Sequence, residues 1–304
     1  MSSNILFMGS SDYSLQILKN LIPKFSINLV VTQPDKPTGR GKRIEPALIK
    51  VFADESQIPV IQPEKIKEDV FRDAINSYSI DLIIVAAYGK ILPKWLLEAT
   101  KYASLNVHGS LLPRWRGASP IQAAILNGDL QTGATIMIMD EGIDTGPIIS
   151  SMAVKIDPDE TAKSLSKKIA AAGSELLNAT LPDYLKGKLK PQAQSESDAT
   201  YSGLIKKEDG LLDLDQPAEI LERKIRAYNP WPVCFFDWNS TRFRVYKAEV
   251  SNEKKLGKNQ RGTHKNYPAI GTSTNDLILL EIQPSGKNKI DGKAFLNGAR
   301  NWLN

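Results

Sequence analysis

The chain has 304 residues, 41% of them hydrophobic and 24% charged, with a net charge of +5. This length points to two domains, and the lack of any run of about 18 apolar residues argues against a membrane-spanning helix. A single cysteine, Cys234, rules out an internal disulfide framework and fits a reducing cytoplasm, and with only His108 and His264 as imidazoles no metal site is expected.

Asn4–Met8 reads as a short apolar strand running into the turn Gly9-Ser10-Ser11-Asp12 and an amphipathic stretch, Tyr13–Leu21. The N-terminus has no basic region leading into a long apolar core, so no secretory leader is expected. A second strand, Ile27–Thr32, is followed by helical patterns at Pro46–Glu55 and Glu64–Tyr78, with a brief strand at Pro59–Ile61 between them. Asp81–Ala87 is a continuous apolar run, as in a strand buried on both faces of a parallel sheet. Pro93–Glu98 reads as a short helix, Ser104–His108 as the next strand and Pro120–Asn127 as the next helix. This alternation is that of a doubly wound α/β domain, where ligands bind beyond the carboxyl ends of the strands. The turn at Gly9 has one glycine where a dinucleotide fingerprint needs three, which argues against a nicotinamide or flavin enzyme.

Thr135–Met139 and Ile148–Ile156 read as a hairpin around the acidic loop Asp140–Pro147, and Thr161–Leu185 as a long amphipathic helix closing the domain. Lys186–Thr200, rich in polar residues with Pro and Gly, reads as a linker. The division expected is therefore a first domain over 1–189, a linker over 190–205 and a second domain over 206–304. In the last of these, a helix at Pro217–Ala227 precedes short strands at Val233–Trp238, Thr241–Val250, Tyr267–Gly271 and Asp276–Pro284, the pattern of a small β-barrel. Trp231 and Trp238 read as core or interdomain packing residues rather than stacking platforms, and Cys234 as a small buried hydrophobe.

Chemistry concentrates in Ser104–Arg116. Asn106 and His108 stand two residues apart, so on an extended segment they share a face. An amide and an imidazole at a strand end are suited to polarising a carbonyl and moving a proton. The same spacing equally describes a strand whose histidine is only structural. Asp144 is the candidate partner, since a carboxylate beside an imidazole favours the charged ring and fixes its orientation; Asp140 and Glu141 compete for that role. Such adjacency calls for neighbouring strand ends.

Charge is unevenly placed. From Lys206 onward there are 17 basic and 12 acidic residues, whereas the first 205 residues hold 22 of each. That pattern fits a polyanion-binding module appended to a neutral body. Lys36, Arg40, Lys42 and Arg43 lie in a segment with two glycines and no acid, which reads as a mobile cationic loop suited to phosphate contacts.

Taken together, several segments resemble the methionyl-tRNA formyltransferase family, a group of 10-formyltetrahydrofolate-dependent enzymes. They are Thr32–Pro37 with Gly39–Lys42, Ala87–Gly89 with Ile91–Pro93, Asn106–Ala118 with Pro120–Gln122, Thr135–Met137 with Met139–Asp140, Gly142–Gly146 and Ile225–Pro232. The likeness runs almost end to end. It implies a Rossmann-like, mainly parallel α/β domain followed by an OB-like β-barrel. It also implies formyl transfer from 10-formyltetrahydrofolate to the α-amine of methionyl initiator tRNA, by a cytoplasmic monomer needing no metal. By the same resemblance Asn106, His108 and Asp144 form the catalytic group. Ser110, Leu111, Leu112 and Pro113 line the folate site, and Ala87, Tyr88, Gly89 and Asp140 its pterin wall. Lys36, Arg40, Lys42 and Arg43 meet the tRNA. One departure stands out: where the family usually has Gly-Thr-Pro-Asp-Phe, this chain has Gly9-Ser10-Ser11-Asp12-Tyr13.

Overall fold

A computed structural model of the chain describes residues 3–38, 43–66, 69–299 and 302–303. In chain order the elements begin β1 (Ile5–Gly9), α1 (Asp12–Leu21), β2 (Ile27–Val31), β3 (Lys36–Thr38), β4 (Arg43–Glu45), α2 (Leu48–Glu55), β5 (Val60–Ile61), α3 (Asp69–Asn76) and β6 (Leu82–Ala86). They continue with α4 (Lys94–Leu97), β7 (Leu105–His108), β8 (Arg116–Gly117), α5 (Pro120–Asn127), β9 (Gln131–Ile138), β10 (Ile148–Lys155), α6 (Ala162–Leu185) and β11 (Tyr201–Ser202). Last come α7 (Ala218–Ala227), β12 (Cys234–Trp238), β13 (Thr241–Val250), β14 (Arg261–His264), β15 (Tyr267–Gly271), β16 (Asp276–Pro284), β17 (Ile290–Asp291) and α8 (Gly292–Gly298). The chain forms two compact units: Met1–Pro120 with Gln131–Lys155 and Ser166–Ser202, and Ile121–Leu130 with Ile156–Leu165 and Gly203–Asn304.

The first unit is built on a seven-stranded sheet in the order β10-β9-β7-β6-β1-β2-β5. Strands β5, β2, β1, β6 and β7 are mutually parallel; β9 runs antiparallel to β7, and β10 antiparallel to β9. Every residue of β1 and β6 is buried, as their unbroken apolar sequences require. One face of the sheet presents Leu6, Met8, Leu29, Val31, Ile83 and Val85 to Phe71 and Ile75 of α3 and Leu96 of α4. Alternation along β7 sends Val107 the other way, where its carbonyl accepts from Tyr13 Oη of α1 at 3.3 Å. Because Asn106 pairs in parallel register with Val85, Asn106 and His108 lie on the Val85 face. Helix α1 starts at a capping box in which Ser11 Oγ accepts from the Ser14 backbone N–H and Ser14 Oγ from that of Ser11.

The cationic segment departs from the plain loop expected of it. Its flanks pair: β3 and β4 form an antiparallel two-stranded ribbon joining Lys36 to Glu45 and Thr38 to Arg43. Arg40 and Lys42 lie outside the described residues.

The second unit carries an antiparallel sheet ordered β12-β13-β16-β15-β14, with β17 added to β16. This is the small OB-like β domain that the resemblance implies. Phe236 and Phe243 stack at 5.5 Å, and Trp238, Phe295 and Trp302 meet edge to face around them. Trp302 is fully buried and its indole N–H donates to Gly262 O at 2.8 Å. Trp231 is 49% exposed and so lies outside the core. Cys234 is wholly buried, and burial pushes its thiol up to about 12.

Candidate active site

Two side chains of one strand and one from a loop far along the chain meet at the end of β7. Asn106 Nδ2 donates to Asp144 Oδ1 at 3.2 Å, and His108 Nδ1 lies 3.5 Å from Asp144 Oδ2. The backbone N–H of Gly117 donates to the same Oδ2 at 2.8 Å. Asp140 and Glu141, the rivals for Asp144, do other things. Asp140 Oδ1 accepts from Gly142 N–H (3.1 Å) and Thr145 Oγ1 (2.7 Å), while Glu141 pairs with Lys94 at 2.9 Å on the surface.

The route by which Asp144 arrives differs from the expected one of neighbouring strand ends. Since β9 opposes β7, with Leu105 beside Ile138 and His108 beside Thr135, the chain leaves β9 at the amino end of β7. Met139 N–H still bonds Ser104 O there, at 2.8 Å. The loop must turn back along the face to reach His108. Asp144 itself is left-handed, with φ +55, and a Cβ on Gly146 would sit 1.9 Å from Ile138 O. Only a residue without a side chain fits that close approach.

His108 Nε2 lies 2.9 Å from Trp115 O. A carbonyl only accepts, so this nitrogen donates. The other ring nitrogen faces a carboxylate, so a ring carrying both protons satisfies both neighbours. Asn106 has a second amide hydrogen beyond the one on Asp144, and it is available to a substrate oxygen.

Around this trio the segments expected to hold folate divide by role. Ser110 is fully buried and its hydroxyl donates to Arg114 O at 2.5 Å, so it shapes the turn rather than offering an open wall. Leu112 is nearly buried, Leu111 and Pro113 half-buried, which leaves apolar flanks beside the trio. Ala87 and Gly89 are exposed with left-handed backbones (φ +44 and +77) at the carboxyl end of β6. Tyr88 turns into the core, where burial raises its phenol to about 12 and its Oη has no hydrogen-bond partner among the described residues. An exposed peptide edge between apolar flanks fits a flat, polar-edged ring such as a pterin.

Ser10 ties the altered turn to the residues after β6. Its hydroxyl reaches Ala87 O at 3.0 Å and Tyr88 O at 3.1 Å, and Gln33 Nε2 donates to Tyr88 O at 2.7 Å. The hydroxyl of the family's threonine position is thus kept, holding the 87–89 peptide from below. Lys36 and Arg43 have backbone positions on the β3–β4 ribbon.

Residues that the sequence reading passed over complete the site. Gln194, in the presumed linker, donates through Nε2 to Asp144 O (2.8 Å) and Gly146 O (2.7 Å). Its Oε1 accepts from Nε of the fully buried Arg116 (3.0 Å), whose terminal nitrogens grip Glu196 at 3.0 and 2.8 Å. The guanidinium beside it holds Glu196 below the usual carboxylate range. The segment 190–202 is therefore bonded to the site, not a free tether. A buried arginine needs a partner; that demand was the one signal available in the sequence, and it named no partner.

A formyl transferase family model matches residues 4–181, and a model of the formyl transferase C-terminal domain matches residues 204–300. A methionyl-tRNA formyltransferase of Desulfotalea psychrophila is 42% identical over 303 residues, covering 98% of this chain and 94% of that protein. One from Myxococcus xanthus is 40% identical over 294 residues, covering 97% and 94%. The solved N-formyltransferase of Helicobacter canadensis, in complex with folinic acid and dTDP-3-aminofucose, superposes with a TM-score of 0.68 at 20% identity, covering 92% of this chain and 99% of that one. At that identity the likeness is one of fold.

Proposed function

The chain belongs to the methionyl-tRNA formyltransferase family, and on that footing we propose that Asn106, His108 and Asp144 are its catalytic group. The enzyme transfers a formyl group from 10-formyltetrahydrofolate to the α-amine of methionyl initiator tRNA. The observation that carries the site reading is the Asp144 carboxylate held by Asn106 on one oxygen and facing His108 with the other.

In the reaction the amine nitrogen bonds to the formyl carbon, the bond from that carbon to the folate N10 breaks, and one amine proton passes to N10. Charge grows on the formyl oxygen meanwhile. Asn106 offers it the amide hydrogen not used by Asp144. His108 offers the Nε2 proton that otherwise rests on Trp115 O. Each such donor is worth about 2.7–4 kcal/mol where it meets developing charge. Asp144 keeps both donors aimed and balances the charge on the imidazole. Leu111, Leu112 and Pro113, with the Ala87–Gly89 edge, hold the folate; Ser110 and Asp140 support them through the turn and the loop they organise.

The tRNA side of the reading rests on charge. Lys36, Arg40, Lys42 and Arg43 contact the acceptor end, and residues 206–304, after the 190–205 segment, bind it by phosphates and shape. With it go a monomer and a cytoplasmic setting; among the described residues no helix is long and apolar enough to cross a membrane. The deciding assay is formyl transfer from 10-formyltetrahydrofolate to charged initiator tRNA, with charged elongator tRNA and an amino sugar nucleotide as controls. Formylation confined to the initiator species is expected. Equal transfer to the amino sugar would overturn the reading.

A further inference from the structure

We propose that Gln194 is a positioning residue for Asp144, acting as the keystone of a strap, residues 192–202, laid over the active-site loops. The inference rests on the catalytic reading of Asp144 and goes beyond it, because Gln194 touches no reacting atom.

Asp144 sits in the left-handed region, which is uncommon for residues other than glycine although aspartate enters it more readily than most. Its side chain has Asn106 and Gly117, but its backbone belongs to a fold-back loop outside the sheet ladder. Gln194 supplies what the ladder does not. Both of its amide hydrogens are spent on carbonyls of that loop, at Asp144 and Gly146. The orientation of the amide is forced: a flip would set its oxygen against two carbonyl oxygens and its NH2 against a guanidinium that has only donors.

Arg116 in turn fixes Gln194. It is buried completely, with Nε on Gln194 and its fork on Glu196. The same strap holds the other side of the site. Thr200 Oγ1 accepts from Trp115 N–H (2.9 Å) and Thr200 O from Arg116 N–H (2.8 Å), while β11 pairs with β8 next to Gly117. Gly117 is the residue whose N–H bonds Asp144 Oδ2, and Trp115 the one whose carbonyl accepts the hydrogen bond from His108 Nε2. One segment thus sets the backbone of the carboxylate from one side and its hydrogen-bond partners from the other.

The test uses the full-length enzyme with Gln194→Ala, Gln194→Glu and Asp144→Asn, measuring kcat and both KM values. A displaced carboxylate misaligns the reacting groups, and misplacement by about 1 Å can cost on the order of 100-fold. Gln194→Ala should lower kcat roughly 10- to 100-fold with both KM values within about twofold. Gln194→Glu should be at least as damaging, although it keeps the size and strengthens the pairing with Arg116, because its second oxygen meets two carbonyls. A residue serving only as filler or as an arginine partner would be rescued by that change, and such rescue overturns the proposal. So does a kcat within twofold for both variants while Asp144→Asn is inactive. An active Asp144→Asn defeats the catalytic reading instead. Should Gln194→Ala fail to fold, Gln194→Glu carries the comparison alone.

Discussion

Replacing Asp144 by Asn keeps the shape of the side chain and removes one acceptor, and its effect can be worked out from the contacts. The carboxylate has three neighbours that point hydrogens at it: Gly117 N–H at 2.8 Å, Asn106 Nδ2 at 3.2 Å and His108 Nδ1 at 3.5 Å. An amide has one oxygen to offer. If it faces Gly117 and His108, its NH2 opposes the NH2 of Asn106; if reversed, it opposes the other two. At least one charge-assisted bond is lost either way, about 1.5–3 kcal/mol. Asn106 can relieve the clash only by rotating its own amide, which withdraws the hydrogen proposed to meet the formyl oxygen, a donor worth about 2.7–4 kcal/mol. The two losses are alternatives rather than a sum. The lost donor sets the rate, and a barrier higher by about 2.7–4 kcal/mol corresponds to a kcat reduced roughly 10²- to 10³-fold at 1.36 kcal/mol per decade. Single-turnover formylation of charged initiator tRNA reads the chemical step, and circular dichroism with a thermal melt checks the fold. A folded Asp144→Asn enzyme within threefold of the native rate would refute the assignment.

Trp302→Ala removes a buried indole and its bond to Gly262, which should cost about 3–5 kcal/mol. Calorimetry should show the transition of the second unit falling by roughly 12 °C or more, and an unmoved transition would deny the aromatic cluster its role. Burial raises the Cys234 thiol from 9.0 to about 12, so the folded state holds this proton more tightly than the unfolded chain. Its contribution is complete below about pH 9 and lost as pH climbs toward 12, amounting to about 2 kcal/mol at pH 10.5. Urea melts of Cys234→Ala should therefore lose less stability than the native protein between pH 8 and pH 10.5; parallel losses would contradict this. Neutralising Arg40 and Lys42 together should reduce the slope of log K for tRNA against log salt by roughly 1.5, and an unchanged slope would remove them from the interface.

Much of the sheet was legible because buried parallel strands leave unbroken apolar runs. Ile5–Gly9 and Leu82–Ala86 carry no polar side chain that could face water, and both are central. The face shared by Asn106 and His108 followed from period two alone. Ribbon pairing of Lys36–Thr38 with Arg43–Glu45 was not legible, since neither flank has alternation and the pairing depends on backbone bonds. Nor was Gln194: it is one polar residue in a polar run, and its bonds reach 48, 50 and 78 positions along the chain. Ser10 looked like a loss from the family pattern, yet its hydroxyl is what the 87–89 peptide uses.

The least expected element is the direction from which Asp144 comes. In an all-parallel sheet, carboxyl-end loops gather on one rim and bring their residues together without further arrangement. Here β9 opposes β7, so its loop starts at the far end and has to travel back along the strand. A fold-back of this kind has no ladder to fix its register, and its backbone passes through a left-handed Asp144 and a Gly146 pressed on Ile138 O. Side chains must do the fixing: Asp140 from within, through Gly142 and Thr145, and Gln194 from outside. That accounts for the polar side chains that surround the loop, and on the role proposed for Gln194 a change there should disturb kcat before it disturbs the fold.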